Sequence, residues 1–193
     1  KASKGHPPKE VVRIPKRADA VRAGLLAWRF HGRELRGIWR EQFGVKPSSQ
    51  SALFGLRCLP ATGRCTQAPL FIKAAMTRSE QARIVVPKAG ELAALVQRGN
   101  TVYLQSFQPR TFQPSTRKEL LVIPGKPVGN LADMDCRPGE CLVFFQRADN
   151  FKHYTFSSRT GVRLSRPQDF VDELRCSSRG CLRARGTDVR LIR

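Results

Sequence analysis

No apolar run in this 193-residue chain approaches the ~20 residues that a helix needs to cross a bilayer. The chain is therefore not expected to be an integral membrane protein. Acidic side chains are also scarce. There are 15 Asp and Glu against 35 Lys and Arg, giving a formal charge of +20 and a pI near 11.0. That imbalance disfavours an ordinary metabolic enzyme and points to a polyanionic partner. Histidine is limited to three residues, and no phosphate loop, dinucleotide fingerprint, zinc-protease motif or nucleophile elbow occurs. His31 and His153, with Lys152 or Arg147, are the candidates for the acid and base of a basic nuclease. A structural histidine in a regular element is the plainer reading of each. The chain is expected not to be an enzyme, and to need neither cofactor nor metal.

What is abundant is arginine, 25 residues against 10 lysines. A guanidinium pairs phosphate oxygens in a bidentate way that an ammonium does not. A GC-rich genome, which favours arginine codons, is the bland alternative. The excess is uneven: +8 over residues 1–50, +5 over 51–100, +1 over 101–150 and +6 over 151–193. The expected organisation is an extended basic arm at 1–17, a single domain at 18–174 and an Arg-rich tail at 175–193. The residues expected to hold RNA are Lys9, Arg13, Lys16 and Arg17 in the arm, and Arg175, Arg179, Arg183, Arg185, Arg190 and Arg193 in the tail.

The hydrophobic pattern predicts an α+β fold. Val21, Leu25, Trp28, Gly32, Leu35 and Trp39 recur at 4-3-4-3-4 spacing, which predicts an amphipathic N-terminal helix over 18–43. A small mixed region follows, with a capping-box form at Thr77–Glu80 and a second helix at Glu91–Arg98. The second half reads as β-rich, with strands at Thr101–Phe107, Glu119–Ile123, Cys141–Gln146 and Phe151–Phe156. The last two make an antiparallel hairpin around residues 147–150. A third helix is predicted at Pro167–Arg175, and a final strand at Val189–Ile192. No internal repeat is evident.

Six cysteines fall in three close pairs, Cys58/Cys65, Cys136/Cys141 and Cys176/Cys181. Free or partly paired thiols are the first expectation and three local disulfides the second, since each pair is near enough in sequence to close a small loop. A metal site ranks last, because no pair has zinc-knuckle spacing. The chain is expected to be a structural component of a ribonucleoprotein, a ribosomal protein of the mitochondrial matrix that touches structured RNA and neighbouring proteins. The alternative is an accessory subunit of a mitochondrial membrane-protein complex, facing protein subunits and acidic lipid. A secreted disulfide protein stands third, ahead of a basic nuclease.

Overall fold

The computed structural model describes residues 14–45, 49–76, 80–124, 130–166 and 171–192. The fold is all-β: fifteen strands in four antiparallel sheets, with no helix among the described residues. Sheet 1 holds β1 (Arg22–His31), β2 (Glu34–Phe43), β3 (Gln50–Leu59) and β4 (Arg64–Ala75), in that spatial order. Sheet 2 holds β5 (Glu80–Lys88), β6 (Glu91–Arg98), β7 (Thr101–Phe107) and β8 (Pro114–Val122). Sheet 3 holds β9 (Asn130–Arg137), β10 (Glu140–Gln146), β11 (His153–Ser157) and β12 (Gly161–Leu164). Sheet 4 has three strands, β13 (Glu173–Ser177), β14 (Gly180–Arg185) and β15 (Asp188–Ile192). Every sheet is a meander in sequence order, so each strand pairs with its chain neighbour through a short link.

The α+β expectation fails first at 18–43, where the amphipathic helix is a hairpin. His31 and Glu34 face each other across Gly32-Arg33, and Gly32 supplies the positive φ (59°) of the turn. The helix-like spacing has a local cause. Spacings of four keep two strand residues on one face as well as on one helix face. The three-residue step from Leu25 to Trp28 spans a β-bulge between Leu25 and Ala27, which restores the face that a regular strand would lose. The step from Gly32 to Leu35 crosses the turn. In the register, Leu25 faces Trp39, Trp28 faces Gly37 and Phe30 faces Leu35, so the predicted stripe is one face of a sheet. Gly37 is required there: a Cβ would sit 2.7 Å from the carbonyl oxygen of Ala27.

The second helix, Glu91–Arg98, is β6. Its Ala93 and Leu95 pack toward sheet 3, while Leu92, Ala94 and Val96 pack toward sheet 1. A strand buried on both faces shows no alternation, so period alone does not separate it from a helix. The third predicted helix lies partly outside the described residues, and of its remainder, Val171–Arg175, the last three residues begin β13. Thr77–Ser79 of the capping box also lie outside them, while Glu80 opens β5. Thus the middle is not a mixed region, and residues 175–192 form strands rather than an extended tail. Strand β7 coincides with a predicted one, and β10, β11 and β15 overlap predicted ones within two residues, including the hairpin around 147–150.

The four sheets stack in chain order. Ile38, Leu53 and Leu70 of sheet 1 meet Ile84, Leu92, Ala94 and Val96 of sheet 2. The opposite face of sheet 2 (Val85, Ala93, Leu95, Val102) meets Met134, Val143 and Phe145 of sheet 3. The far face of sheet 3 (Leu142, Phe144) meets Leu174 and Cys181 of sheet 4. The free face of sheet 1 is covered in part by the segment from Ile14 to Ala20. Along one side of the stack the first strands come together in succession, β1 with β5, β5 with β9, and β9 with β13. Meandering sheets with their first strands gathered on a common cleft are the plan of propeller blades.

Candidate functional site

Hairpin geometry sets the first chemical feature. Each cysteine pair occupies directly facing positions on adjacent strands, Cys58 with Cys65, Cys136 with Cys141 and Cys176 with Cys181. All three pairs are disulfides, and no free cysteine remains among the described residues. As cystines the six sulfurs offer no thiolate to a metal. Among the described residues no cluster of three His, Cys, Asp or Glu has metal-site geometry.

The second feature is the cleft where the first strands meet, a space of about 480 Å³. Its walls come from all four sheets: Leu26 to Arg29 of β1, Ala82 to Ile84 of β5, Asp135 of β9, and Arg175 and Cys176 of β13. A volume of this size is within the range of small-ligand sites, about 300–1,000 Å³. Arg29, Arg83 and Arg175 bring three guanidinium groups to its lining, and Asp135 one carboxylate.

The floor of the cleft is a charged seam. The cystine between Cys176 and Cys181 marks a facing pair with closely spaced Cα atoms, 4.0 Å apart. Such a pair is one in which the two residues do not exchange ladder hydrogen bonds. The Cys176 N–H, and that of Leu174 two residues earlier, therefore point away from β14 toward β9. Two carboxylates meet them. Leu174 N donates to Asp133 Oδ2 at 2.6 Å, and Cys176 N donates to Asp135 Oδ2 at 2.9 Å. The other oxygen of each carboxylate accepts from the next backbone N–H, Met134 and Cys136, both at 2.8 Å. Asp133 and Asp135 are two apart on one strand, so both side chains leave the same face.

Arg83 closes the seam from the opposite side. Its Nη2 lies 2.7 Å from Asp133 Oδ1 and its Nη1 3.8 Å from Asp135 Oδ2, and it donates to the Leu174 carbonyl. Arg175 pairs with Glu173 at 2.7 Å and reaches Asp133 at 3.7 Å. Burial pushes the Asp135 carboxyl above its ordinary value, against the pull of its two backbone N–H donors and Arg83. Arg83 is thus occupied by the two aspartates, whereas Arg29 is exposed and has no carboxylate partner among the described residues. Arg175 is likewise engaged by Glu173 and Asp133, which leaves Arg29 as the cation of the cleft open to an anion from solvent.

The arginines expected to bind RNA do not form one patch. Lys9, Arg13 and Arg193 lie outside the described residues. Lys16 donates to the Ala20 carbonyl at 2.5 Å, and the Arg17 guanidinium lies over the Phe54 ring at 4.8 Å, both on the free face of sheet 1. Arg175, Arg179, Arg183, Arg185 and Arg190 are at the other end of the stack, in sheet 4. There Arg183 faces Arg190 across the β14–β15 pair, and Arg190 bonds Asp188 at 2.9 Å. Of the described members of the set only Arg175 lines the cleft, where it joins Arg29 and Arg83, neither of which sequence reasoning singled out. The legible signal was the acid pair Asp133/Asp135 two apart beside Cys136. Alternating acids in a strand next to a buried core need cationic or N–H partners from elsewhere. His31 ends β1 in sheet 1, and His153 begins β11 in sheet 3. No family model, no curated protein and no solved structure matches the chain.

Proposed function

We propose that this chain is a cystine-stapled, non-catalytic binding module for a polyanion, which it grips at phosphate or sulfate groups through outward guanidiniums, Arg29 at the cleft among them. The observation that carries this is how the charges are spent. Most of the described carboxylates are already engaged by the chain's own cations: Glu34 by Arg36 and Arg57, Glu80 by Arg98, Glu140 by Arg137, and Asp133 by Arg83. Arg22, Arg29, Arg33, Arg64, Arg110, Arg163 and Arg179 are exposed without such partners among the described residues. Among the described residues these unpaired guanidiniums therefore face solvent rather than being spent inside the stack.

Structured RNA of a ribonucleoprotein is one polyanion that fits this chemistry, and an acidic polysaccharide is another. The three cystines support the second, because disulfides persist in oxidising compartments and are rare where thiols are kept reduced. Binding of fluorescent heparin and of a folded RNA, each titrated at stepped salt, tests the proposal. The expected log-log salt slope is about −3 to −5 for the preferred ligand, as several neutralised anionic groups release counterions. Arg29→Ala should flatten that slope by nearly one unit. Affinity independent of salt for both ligands would overturn the reading.

A further inference from the structure

Sheets 3 and 4 share one plan, and their cystines mark corresponding places in each. Two residues beyond Cys141 stands Val143, which faces Phe156, and both belong to the apolar seam with sheet 2. Two residues beyond Cys181 stands Arg183, which faces Arg190. Both arginines are turned toward sheet 3, because they share a face with Leu174 and Cys181, which pack on Leu142 and Phe144. Like charges directly opposite each other on a sheet repel. An arginine pair stands where the neighbouring sheet has an apolar one, and it calls for an anion.

The facing wall is aligned by the hydrogen bond from Leu174 N to Asp133. From that point the row on sheet 3 runs Asp133, Phe144, Thr155, Arg163, one residue per strand. The row on sheet 4 runs Leu174, Arg183, Arg190. Strand for strand, Arg183 matches Phe144 and Arg190 matches Thr155, with Arg163 on the next strand out. Packed sheets lie about 10 Å apart and their strands about 4.8 Å apart, so guanidiniums of both walls can reach one small anion. Thr155 Oγ1 and Ser165 Oγ lie 2.6 Å apart on the sheet 3 wall. Their mutual bond uses one of two hydroxyl protons and leaves the other to donate.

The acids on these two faces do not cancel the arginines. Asp133 and Asp135 are held by Arg83, and Glu140 by Arg137. Asp172 accepts from the Gly186 N–H at 3.1 Å. Asp188, which also faces Arg185, meets Nε and Nη2 of Arg190 at 2.9 Å. That leaves Nη1 of Arg190 for a second oxyanion. Arg163 is exposed and has no carboxylate partner among the described residues.

We infer that the outer notch between sheets 3 and 4 is a site for one tetrahedral oxyanion, a sulfate or phosphate. Arg163, Arg183 and Arg190 hold it, with a hydroxyl donor from the Thr155–Ser165 pair. Guanidinium forks match such oxygens two at a time. The anion is a free ion or a group borne by the polyanion. The notch stands on its own residues, and only the second source rests on the polyanion reading.

Titration of the isotope-labelled chain with sulfate and with phosphate, at a constant ionic strength of about 0.15 M, tests the site by nuclear magnetic resonance. Backbone N–H shifts are expected to saturate and to be largest at Thr155, Arg163, Arg183 and Arg190. Arg163→Ala, on an exposed outer strand, should weaken binding about fivefold, as the loss of one exposed charge contact does. Lys118→Ala removes the same charge from an exposed position of sheet 2 and should leave the affinity as it is. Shifts that never saturate, or equal affinity in Arg163→Ala and wild type, overturn the inference. Fluorescent heparin separates the two sources. Weaker heparin binding by Arg163→Ala assigns the anion to the polyanion, and unchanged heparin binding with weakened sulfate binding assigns it to the free ion. Heparin binding by a chain whose notch takes neither sulfate nor phosphate keeps the polyanion reading and sinks the site.

Discussion

The seam between sheets 1 and 2 and the seam between sheets 3 and 4 are held by different physics. The first is built from area. Strands of ten and twelve residues bring Ile38, Leu53 and Leu70 against β5 and β6, and a loop residue plugs the gap. That residue, Phe112, is 1% exposed, stacks on Phe107 at 4.0 Å between centroids, and sits at φ 57°. A bulky residue in the left-handed region costs of order 1 kcal/mol or more. The buried ring offsets that with roughly 2–3 kcal/mol of transfer energy. Strands of sheet 4 are only five or six residues long, and its apolar seam reduces to Leu174, Cys181 and Val171 against Leu142 and Phe144. What replaces area there is aim: two carboxylates placed on two outward N–H groups, with Arg83 behind them. A small blade is fastened by directed polar contacts because it has too little apolar surface to be held by burial alone.

That contrast is open to test. Phe112→Ala should produce the largest loss, about 4 kcal/mol of global stability, since Phe-to-Ala core truncations cost about 3–5 kcal/mol. Urea denaturation should shift its midpoint with little change of slope. Asp133→Asn should cost about 3 kcal/mol, because Arg83 is left facing a neutral group and one of two backbone donors is met by an NH₂. The distribution of the loss matters more than its size. Hydrogen exchange should accelerate in β13–β15 while β6 and β7 keep their protection, as expected when one cooperative unit opens alone. Uniform acceleration across all four sheets would show that sheet 4 has no independent seam.

The sequence was most legible where strands are half-buried and β-formers alternate. Thr101–Phe107 was read at its true bounds, and Val189–Ile192 to within one residue. It misled where local period was ambiguous. Val21 to Trp39 imitates a helix because a bulge and a turn both insert odd steps into an even pattern. Glu91–Arg98 imitates one because both its faces are buried. The cleft was illegible for another reason. Arg29, Arg83, Asp135 and Arg175 come from four sheets, and their meeting depends on how the first strands stack, which no local spacing encodes. The cysteines lie between these cases. Facing positions in a hairpin require a short, even-handed link, and once the flanking residues are read as strands each pair is forced together.

The smallest expected effect separates the two seams by acid. Glu34 accepts from both Arg36 and Arg57, and Arg36 in turn lies over the Phe112 ring at 5.4 Å, so this network backs the seam between sheets 1 and 2. The Arg57 hydrogen bonds, and then those of Arg36, hold the Glu34 carboxyl down at about 2 against their opponent, burial. A depressed carboxyl stabilises the fold fully above its unfolded value, 4.5, and that contribution is lost as pH falls through about 2. Asp135, at the other seam, is shifted upward, so protonation there favours the folded chain as pH falls and offers no matching loss. Glu34→Gln should therefore lower stability by about 2 kcal/mol near neutral pH, and this difference from wild type should shrink steadily between pH 5 and pH 2. Urea midpoints of both proteins across that window measure it. A difference that stays constant to pH 2 would mean that Glu34 contributes through packing rather than through its charge.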